Sequence, residues 1–122
     1  MRRRRPEQAL QHTVGKFLDV ALPNDALWCH YPAGGKRSPI EARIFKSLGV
    51  RSGIPDLLLF HNGRVYGIEL KVGARTLTSI QRDMHRRLEQ CGVDCCVATS
   101  VDEVADFLEP RIPLRAHLGG RP

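Results

Sequence analysis

No apolar stretch in this chain approaches the roughly 20 residues that a membrane-spanning helix needs. Its 122 residues are therefore expected to work away from the bilayer. No secretory leader is expected either. Arg2, Arg3, Arg4 and Arg5 would suit a charged leader start, but Pro6-Glu7-Gln8 follows where an apolar segment belongs, so a cytoplasmic location is expected. Cysteine is sparse: Cys29, Cys91, Cys95 and Cys96 include no C-x-x-C pair, which speaks against a zinc site. Reduced, buried, core-filling thiols are expected instead. The five histidines, at 12, 30, 61, 85 and 117, form no pair at metal-ligand spacing with a carboxylate. They read as structural or surface residues, with His85 nearest the candidate site described below. Aromatics are few, and Trp28 and Tyr31 read as core or interface residues rather than base-stacking platforms. The absence of an internal repeat excludes a solenoid.

Composition is otherwise ordinary. With 42% hydrophobic and 26% charged residues the chain can fill one core, so a single domain over 1–122 is expected. The net charge of +6 favours a polyanionic partner, and nucleic acid is the commonest. Part of the excess is terminal, in a basic arm over 1–5 and in a Pro-, Gly- and Arg-rich segment over 110–122 that reads as a loose tail.

Along the chain, Pro6 suits a first helical turn, and Leu10, Val14, Phe17, Leu18 and Ala21 recur at helical spacing, which predicts a helix over about 6–22. A strand is expected over 26–31. The loop over 32–39 is basic and backbone-rich, so Lys36 and Arg37 are candidate phosphate contacts, as is Arg51. Ile40, Ile44 and Leu48 mark a short helix closed by Gly49. Thr78 and Gln81 form a capping box at the start of a further helix, with Ile80, Met84, Leu88 and Cys91 as its apolar stripe. A strand within 94–100 and a helix over 101–108 complete the pattern. The helix over about 78–91 can join two parallel strands by a right-handed crossover. The expected class is α/β, a mixed central sheet flanked by helices.

The chemistry concentrates around one hairpin. Leu57-Leu58-Leu59-Phe60 and Val65-Tyr66-Gly67-Ile68 read as antiparallel strands joined by Asn62-Gly63, the strongest short-range signal for a two-residue turn. That turn sets His61 opposite Arg64, Phe60 opposite Val65 and Leu58 opposite Gly67. It also brings Asp56 opposite Glu69, with Lys71 on the same face. Opposed like charges are destabilising unless something cationic lies between them. Taken singly, Asp56 is a turn residue after proline, and Glu69 and Lys71 belong to a solvated strand face. Taken together, they predict a carboxylate site for Mg²⁺ with a lysine able to stabilise a phosphoryl transition state.

Proline-aspartate, a hairpin and then Glu69-x-Lys71 resemble the PD-(D/E)xK nuclease superfamily. More narrowly, Val50-Arg51-Ser52-Gly53-Ile54-Pro55-Asp56 resembles the motif that names the VRR-NUC family, with Ser52 where a second arginine would stand. That departure bears on a phosphate or structural contact rather than on the metal site. Gly34-Gly35-Lys36-Arg37 and Thr78-x-x-Gln81 also look like the compact stand-alone members found in phages and bacteria. The resemblance implies a restriction-endonuclease-like core and an endonuclease dependent on Mg²⁺ or Mn²⁺. It also implies metal ligation by the backbone carbonyl of Leu70, a glutamate on the first helix acting through water, for which Glu7 fits, and an active-site glutamine at Gln81. Glu7 by itself reads as a dipole partner in a first turn. The resemblance further implies branched DNA, such as a Holliday junction, as substrate for a homodimer, with neither membrane nor nucleotide cofactor. The alternatives are a flap or single-strand nuclease and a non-catalytic DNA-binding accessory module.

Overall fold

The computed structural model describes residues 6–32 and 38–116. Lys36, Arg37 and the arginines of the 1–5 arm lie outside the described residues. Eight elements follow one another: α1 (Pro6–Ala21), β1 (Ala26–His30), α2 (Pro39–Ser47), β2 (Leu57–His61), β3 (Arg64–Leu70), α3 (Ser79–Gln90), β4 (Asp94–Ala98) and α4 (Val101–Leu108). The strands form one sheet in the order β1-β2-β3-β4. The β1/β2 and β2/β3 pairs are antiparallel, and β3/β4 is parallel, linked through α3. The sheet is thus mixed and flanked by helices. No helix among the described residues is long and apolar enough to cross a membrane.

The hairpin has the register that its turn dictates. Asn62 at φ 51° and Gly63 at φ 75° both lie in the left-handed region, as a type I′ turn requires. His61 then faces Arg64, Phe60 faces Val65, Leu58 faces Gly67 and Leu57 faces Ile68. The alternation sends Leu57, Leu59, Tyr66, Ile68 and Leu70 to one face of the sheet, where all are buried. Val14, Leu18 and Ala21 of α1 and Val104 and Leu108 of α4 cover that face and close the core. Leu18 and Leu59 are fully enclosed. Truncating Leu59 to alanine is expected to cost about 2–5 kcal/mol, since the rigid sheet around it cannot collapse into the cavity. A urea midpoint measured by far-UV circular dichroism checks this, and an unchanged midpoint would contradict the packing.

The opposite face of the sheet is only partly covered, and several sequence expectations change there. Helix α3 lies against β3 and β4, but the residue it buries is His85, with Gln81 half-buried one turn earlier. Ile80 and Cys91 of the expected stripe are exposed, while Met84 and Leu88 are half-buried. Helix α2 is capped by Ser38, whose Oγ accepts from the Glu41 N–H while Glu41 returns the bond to the Ser38 N–H. Its apolar stripe of Ile40, Ile44 and Leu48 is exposed, because no sheet surface lies beneath it. Cys29 and Cys91 are exposed rather than core-filling. Cys96 does pack against the core, and burial pushes its thiol up to about 12.

The expected loose tail does not begin at Pro110. Ile112 is 1% exposed. Arg111 stacks over the Phe107 ring at 4.0 Å and pairs with Asp94, and the Arg115 N–H donates to the Ala21 carbonyl. Residues 110–116 therefore pack back across the ends of α1 and α4. The composition rich in Pro and Arg hid one anchoring isoleucine.

Candidate active site

The candidate site forms where β2 starts and β3 ends. Asp56 immediately precedes β2, one step beyond the last ladder pair of Leu57 with Ile68, so the hairpin register carries it toward Glu69. Two donors from the end of β1 hold its backbone carbonyl: the Tyr31 N–H at 2.8 Å and His30 Nδ1 at 2.9 Å. Because a carbonyl only accepts, that contact puts the His30 proton on Nδ1. The Asp56 side chain is fixed as well, its Oδ2 accepting from the Leu70 N–H at 2.9 Å. Backbone and carboxylate are thereby clamped between β1 and β3.

Glu69 is buried, with 4% exposure. Its Oε2 accepts from Gln81 Nε2 at 3.1 Å and lies 3.7 Å from Lys71 Nζ. Its Oε1 is buried and has no hydrogen-bond partner. Burial first, and the Asp56 carboxylate second, push the Glu69 carboxyl up from its ordinary 4.5 to about 8, against the opposing pull of Lys71. Two carboxylates cannot hydrogen-bond to each other unless one is protonated. A proton or a further cation beside Lys71 relieves the repulsion between the two carboxylates.

These side chains line a cleft of about 230 Å³ that also receives Glu7, Gln8 and Gln11 from α1 and Arg75 from the loop after β3. The Glu7 carboxylate is paired with Arg75, 2.8 Å from Nη1. Among the described residues no group of three or more His, Cys, Asp and Glu side chains comes together as a metal cage. The donor chemistry still fits a hard divalent cation. Mg²⁺ is commonly held by one or two carboxylates and keeps several waters, and the free Glu69 Oε1 beside Asp56 is a ready oxygen ligand. The N–H and C=O of one residue leave an extended strand on the same side. The Leu70 carbonyl thus points the way its N–H does, toward Asp56.

Gln81 reaches the site because the Thr78 capping box sets its helix. Thr78 Oγ1 accepts from the Gln81 N–H and Gln81 Oε1 accepts from the Thr78 N–H, leaving Nε2 for Glu69. Capping and site contact are thus made by one side chain. Arg51 is not brought to this cleft. It lines a separate groove of about 590 Å³ between α2 and α3, and its backbone N–H donates to the Tyr31 hydroxyl. Arg75, Gln8 and Gln11 were not singled out by sequence. The first sits on a loop without periodicity, and the glutamines occupy a helical face that only the fold turns toward the cleft. His85 is buried with Nε2 unpartnered, and burial lowers its pKa.

Gly67 controls how closely Pro55 approaches the sheet. A Cβ there would lie 2.7 Å from Pro55 Cγ and 3.2 Å from Cys95 Sγ. Pro55 is fully buried and adjoins Asp56. Gly67→Ala is expected to cost about 1–3 kcal/mol through overpacking and to displace Asp56. Thermal melts, together with metal titration of the folded fraction, check both effects. Wild-type values in both would refute the close approach.

No protein-family model and no curated protein matches the sequence. Solved structures do match. One, named a VRR_NUC domain protein, superposes with a TM-score of 0.62 at 24% identity and covers 89% of this chain and 89% of its own. Another, named a VRR_NUC domain, superposes with a TM-score of 0.56 at 23% identity and covers 88% of this chain and 98% of its own.

Proposed function

We propose that this chain, which has the fold of the VRR_NUC domain structures, is a divalent-metal-dependent endonuclease that hydrolyses DNA phosphodiester bonds. The observation that carries the reading is the Asp56–Glu69 carboxylate pair, with a buried, unpartnered Glu69 Oε1 and Lys71 beside it in an open cleft. A DNA-binding module without catalysis gains nothing from carboxylates turned toward phosphates, which disfavours the non-catalytic alternative.

Asp56, Glu69 and the Leu70 carbonyl would hold Mg²⁺ or Mn²⁺, with Glu7 acting through water. When bound, such an ion lowers the pKa of a water and neutralises charge on a phosphoryl oxygen. The chain's own residues do the positioning. The Leu70 N–H keeps the Asp56 carboxylate turned inward. Gln81 and Lys71 engage Glu69 Oε2 and leave Oε1 without a hydrogen-bond partner. The Lys71 ammonium, a compact cation on a flexible stem, is near enough to stabilise the charge that develops on the phosphate or to orient the attacking water. Arg75 holds the Glu7 carboxylate at the cleft rim. Lys36, Arg37 and Arg51 are proposed as phosphate contacts.

The preferred substrate is proposed to be branched DNA, cut by a homodimer whose two sites are related by a two-fold axis. Incubating the protein with labelled four-way, flap and linear DNAs, with and without Mg²⁺ or Mn²⁺, tests activity and preference together. Metal-dependent cleavage is the expected result, strongest on the four-way junction. Cleavage equally fast in EDTA removes the metal reading, and a preference for flaps removes the junction reading. Light scattering at micromolar protein, with and without junction, tests the dimer.

Ca²⁺ is expected to bind the same carboxylates and to support little cleavage, being larger and more loosely coordinated. Calorimetry should show Ca²⁺ binding that Glu69→Ala weakens. Equal binding by both proteins would remove Glu69 from the ligand set.

A further inference from the structure

A second groove leads out of the candidate cleft. Gln8 and Gln11 line both. From these two residues the groove, about 420 Å³, runs between α1 and the edge strand β1, past Lys16 on the helix to Trp28 on the strand. Along α1, from Gln8 to Asp19, it extends about 16 Å. His30 joins it to the cleft, because its side chain lines the groove while its Nδ1 holds the Asp56 carbonyl.

Trp28 is fixed in this groove by two contacts. Its Nε1–H donates to Asp19 Oδ1 at 2.8 Å. Its ring edge is seated on Gly15, where a Cβ would come within 2.9 Å of Cη2. The indole is thus oriented in advance and only half-buried. Beside it the groove offers the exposed cations of Lys16 and, when protonated, His12 and His30. Its one carboxylate, Asp19, is already engaged by the indole. A fixed aromatic surface with adjacent amides and a cation is the chemistry that holds an unstacked nucleotide, since every base has a π-face and every linkage a phosphate. A duplex does not suit the groove. Its major groove alone is about 12 Å wide, whereas the gap beside a helix packed on a sheet is about one side chain deep.

We propose that the α1–β1 groove binds an unpaired DNA strand where it leaves the cleft. A base stacks on Trp28, Lys16 meets a phosphate, and the Gln8 and Gln11 amides hold the nucleotide nearest the scissile bond. This rests on the nuclease reading and adds to it a means of selecting DNA that is locally single-stranded next to the cut.

Trp28 is the chain's one tryptophan, so its emission reports on this groove and on the adjoining cavity beside Arg115, and the Lys16 variant tells the two apart. The full chain is titrated in EDTA with a 12-mer of oligothymidylate, and separately with the duplex that this strand forms with oligoadenylate. Anisotropy of a labelled strand provides an independent measure of binding. Saturable quenching by the single strand is expected, at concentrations about tenfold below those at which the duplex has any effect. Lys16→Ala should weaken single-strand affinity several-fold and leave duplex affinity unchanged, and Gln11→Ala should weaken single-strand affinity as well. The proposal is overturned if the single strand binds by anisotropy while emission stays constant, if it does not bind, or if both variants bind it as wild type does. A protein that fails in these ways yet cleaves DNA in an Asp56-dependent manner loses the groove and keeps the nuclease reading. One that shows the quenching but cleaves no DNA in either Mg²⁺ or Mn²⁺ keeps the groove as a strand-binding site and loses the nuclease reading.

Discussion

Asp56→Asn is expected to abolish metal-dependent DNA cleavage, by roughly a thousandfold or more, while leaving the protein folded. The choice of asparagine follows from the geometry. Asp56 Oδ2 accepts from the Leu70 N–H, and an amide oxygen can accept in its place, so the clamp between the start of β2 and the end of β3 is kept. What disappears is the negative charge beside Glu69. Asp56→Ala removes charge and acceptor together, and it should cost about a further 1–3 kcal/mol by leaving the Leu70 N–H unsatisfied. The pair of variants thus separates chemistry from architecture. Lys71→Ala should give a loss of similar size, with metal affinity retained, because its ammonium is placed to act on phosphate or water rather than on the ion. Single-turnover cleavage with enzyme in excess, alongside calorimetric metal binding, is the measurement. Substantial metal-dependent turnover by folded Asp56→Asn protein would overturn the site.

Glu69→Gln is expected to do two opposite things: end cleavage, and stabilise the metal-free fold at neutral and alkaline pH. The wild-type carboxyl titrates at about 8 when folded, against an ordinary 4.5. Between those values the folded chain binds a proton that the unfolded chain does not. Stability contributed by this group is therefore complete below about 4.5 and lost as pH rises through about 8. At about 1.4 kcal/mol per pKa unit, the loss is on the order of a few kcal/mol. Glutamine keeps an acceptor and carries no charge, so its stability should lack this slope. His85 works the other way over part of the range. Burial lowers its pKa, so its contribution improves as pH rises toward 6.5. The difference between wild type and Glu69→Gln isolates the Glu69 term. Added Mg²⁺ should also flatten the wild-type slope, since a cation then replaces the proton between the carboxylates. Thermal melts from pH 5 to pH 9, in EDTA and in Mg²⁺, read all of this. Parallel curves for the two proteins in EDTA would show that neither burial nor the Asp56 carboxylate perturbs Glu69.

A buried Glu69 beside a half-buried Asp56 suits the cation proposed for this site, and both carboxylates are held by bonds from their surroundings. Asp56 is held from both neighbouring strands and Glu69 from α3. Without those bonds the two carboxylates could turn away into water. The Gly67–Pro55 contact adds a steric component to the same clamp. The groove that leaves this site past Trp28 has its own anchoring through Asp19 and Gly15, so strand binding and metal binding can be perturbed separately.

The hairpin and the residues it brings together were legible in the sequence because their causes are local. Asn62 and Gly63 are suited to the two positive φ angles of a tight turn, and a period of two then sets every partner outward from it to Leu57 and Ile68. The capping box of Thr78 and Gln81 was legible for a similar reason, since it spans only three residues, whereas a place for Gln81 at the site followed only from the resemblance. The crossover through α3 to a parallel β4 followed from element order. Other features depended on what lies across from a side chain, which periodicity does not specify. The stripe of Ile80, Met84, Leu88 and Cys91 predicted one buried face for α3. The helix turns Gln81 and His85 inward instead, because the sheet surface it covers carries Glu69 and Lys71 rather than leucine. The stripe of α2 is equally regular and stays exposed for want of a partner. Ile112 is buried near the start of a segment that reads as tail, and Arg75 meets Glu7 across 68 residues of chain. Turn chemistry and strand alternation act over a few bonds and so are written in the sequence. Which face finds an apolar neighbour, and which loop cation finds a carboxylate, is decided only when distant segments close on one another.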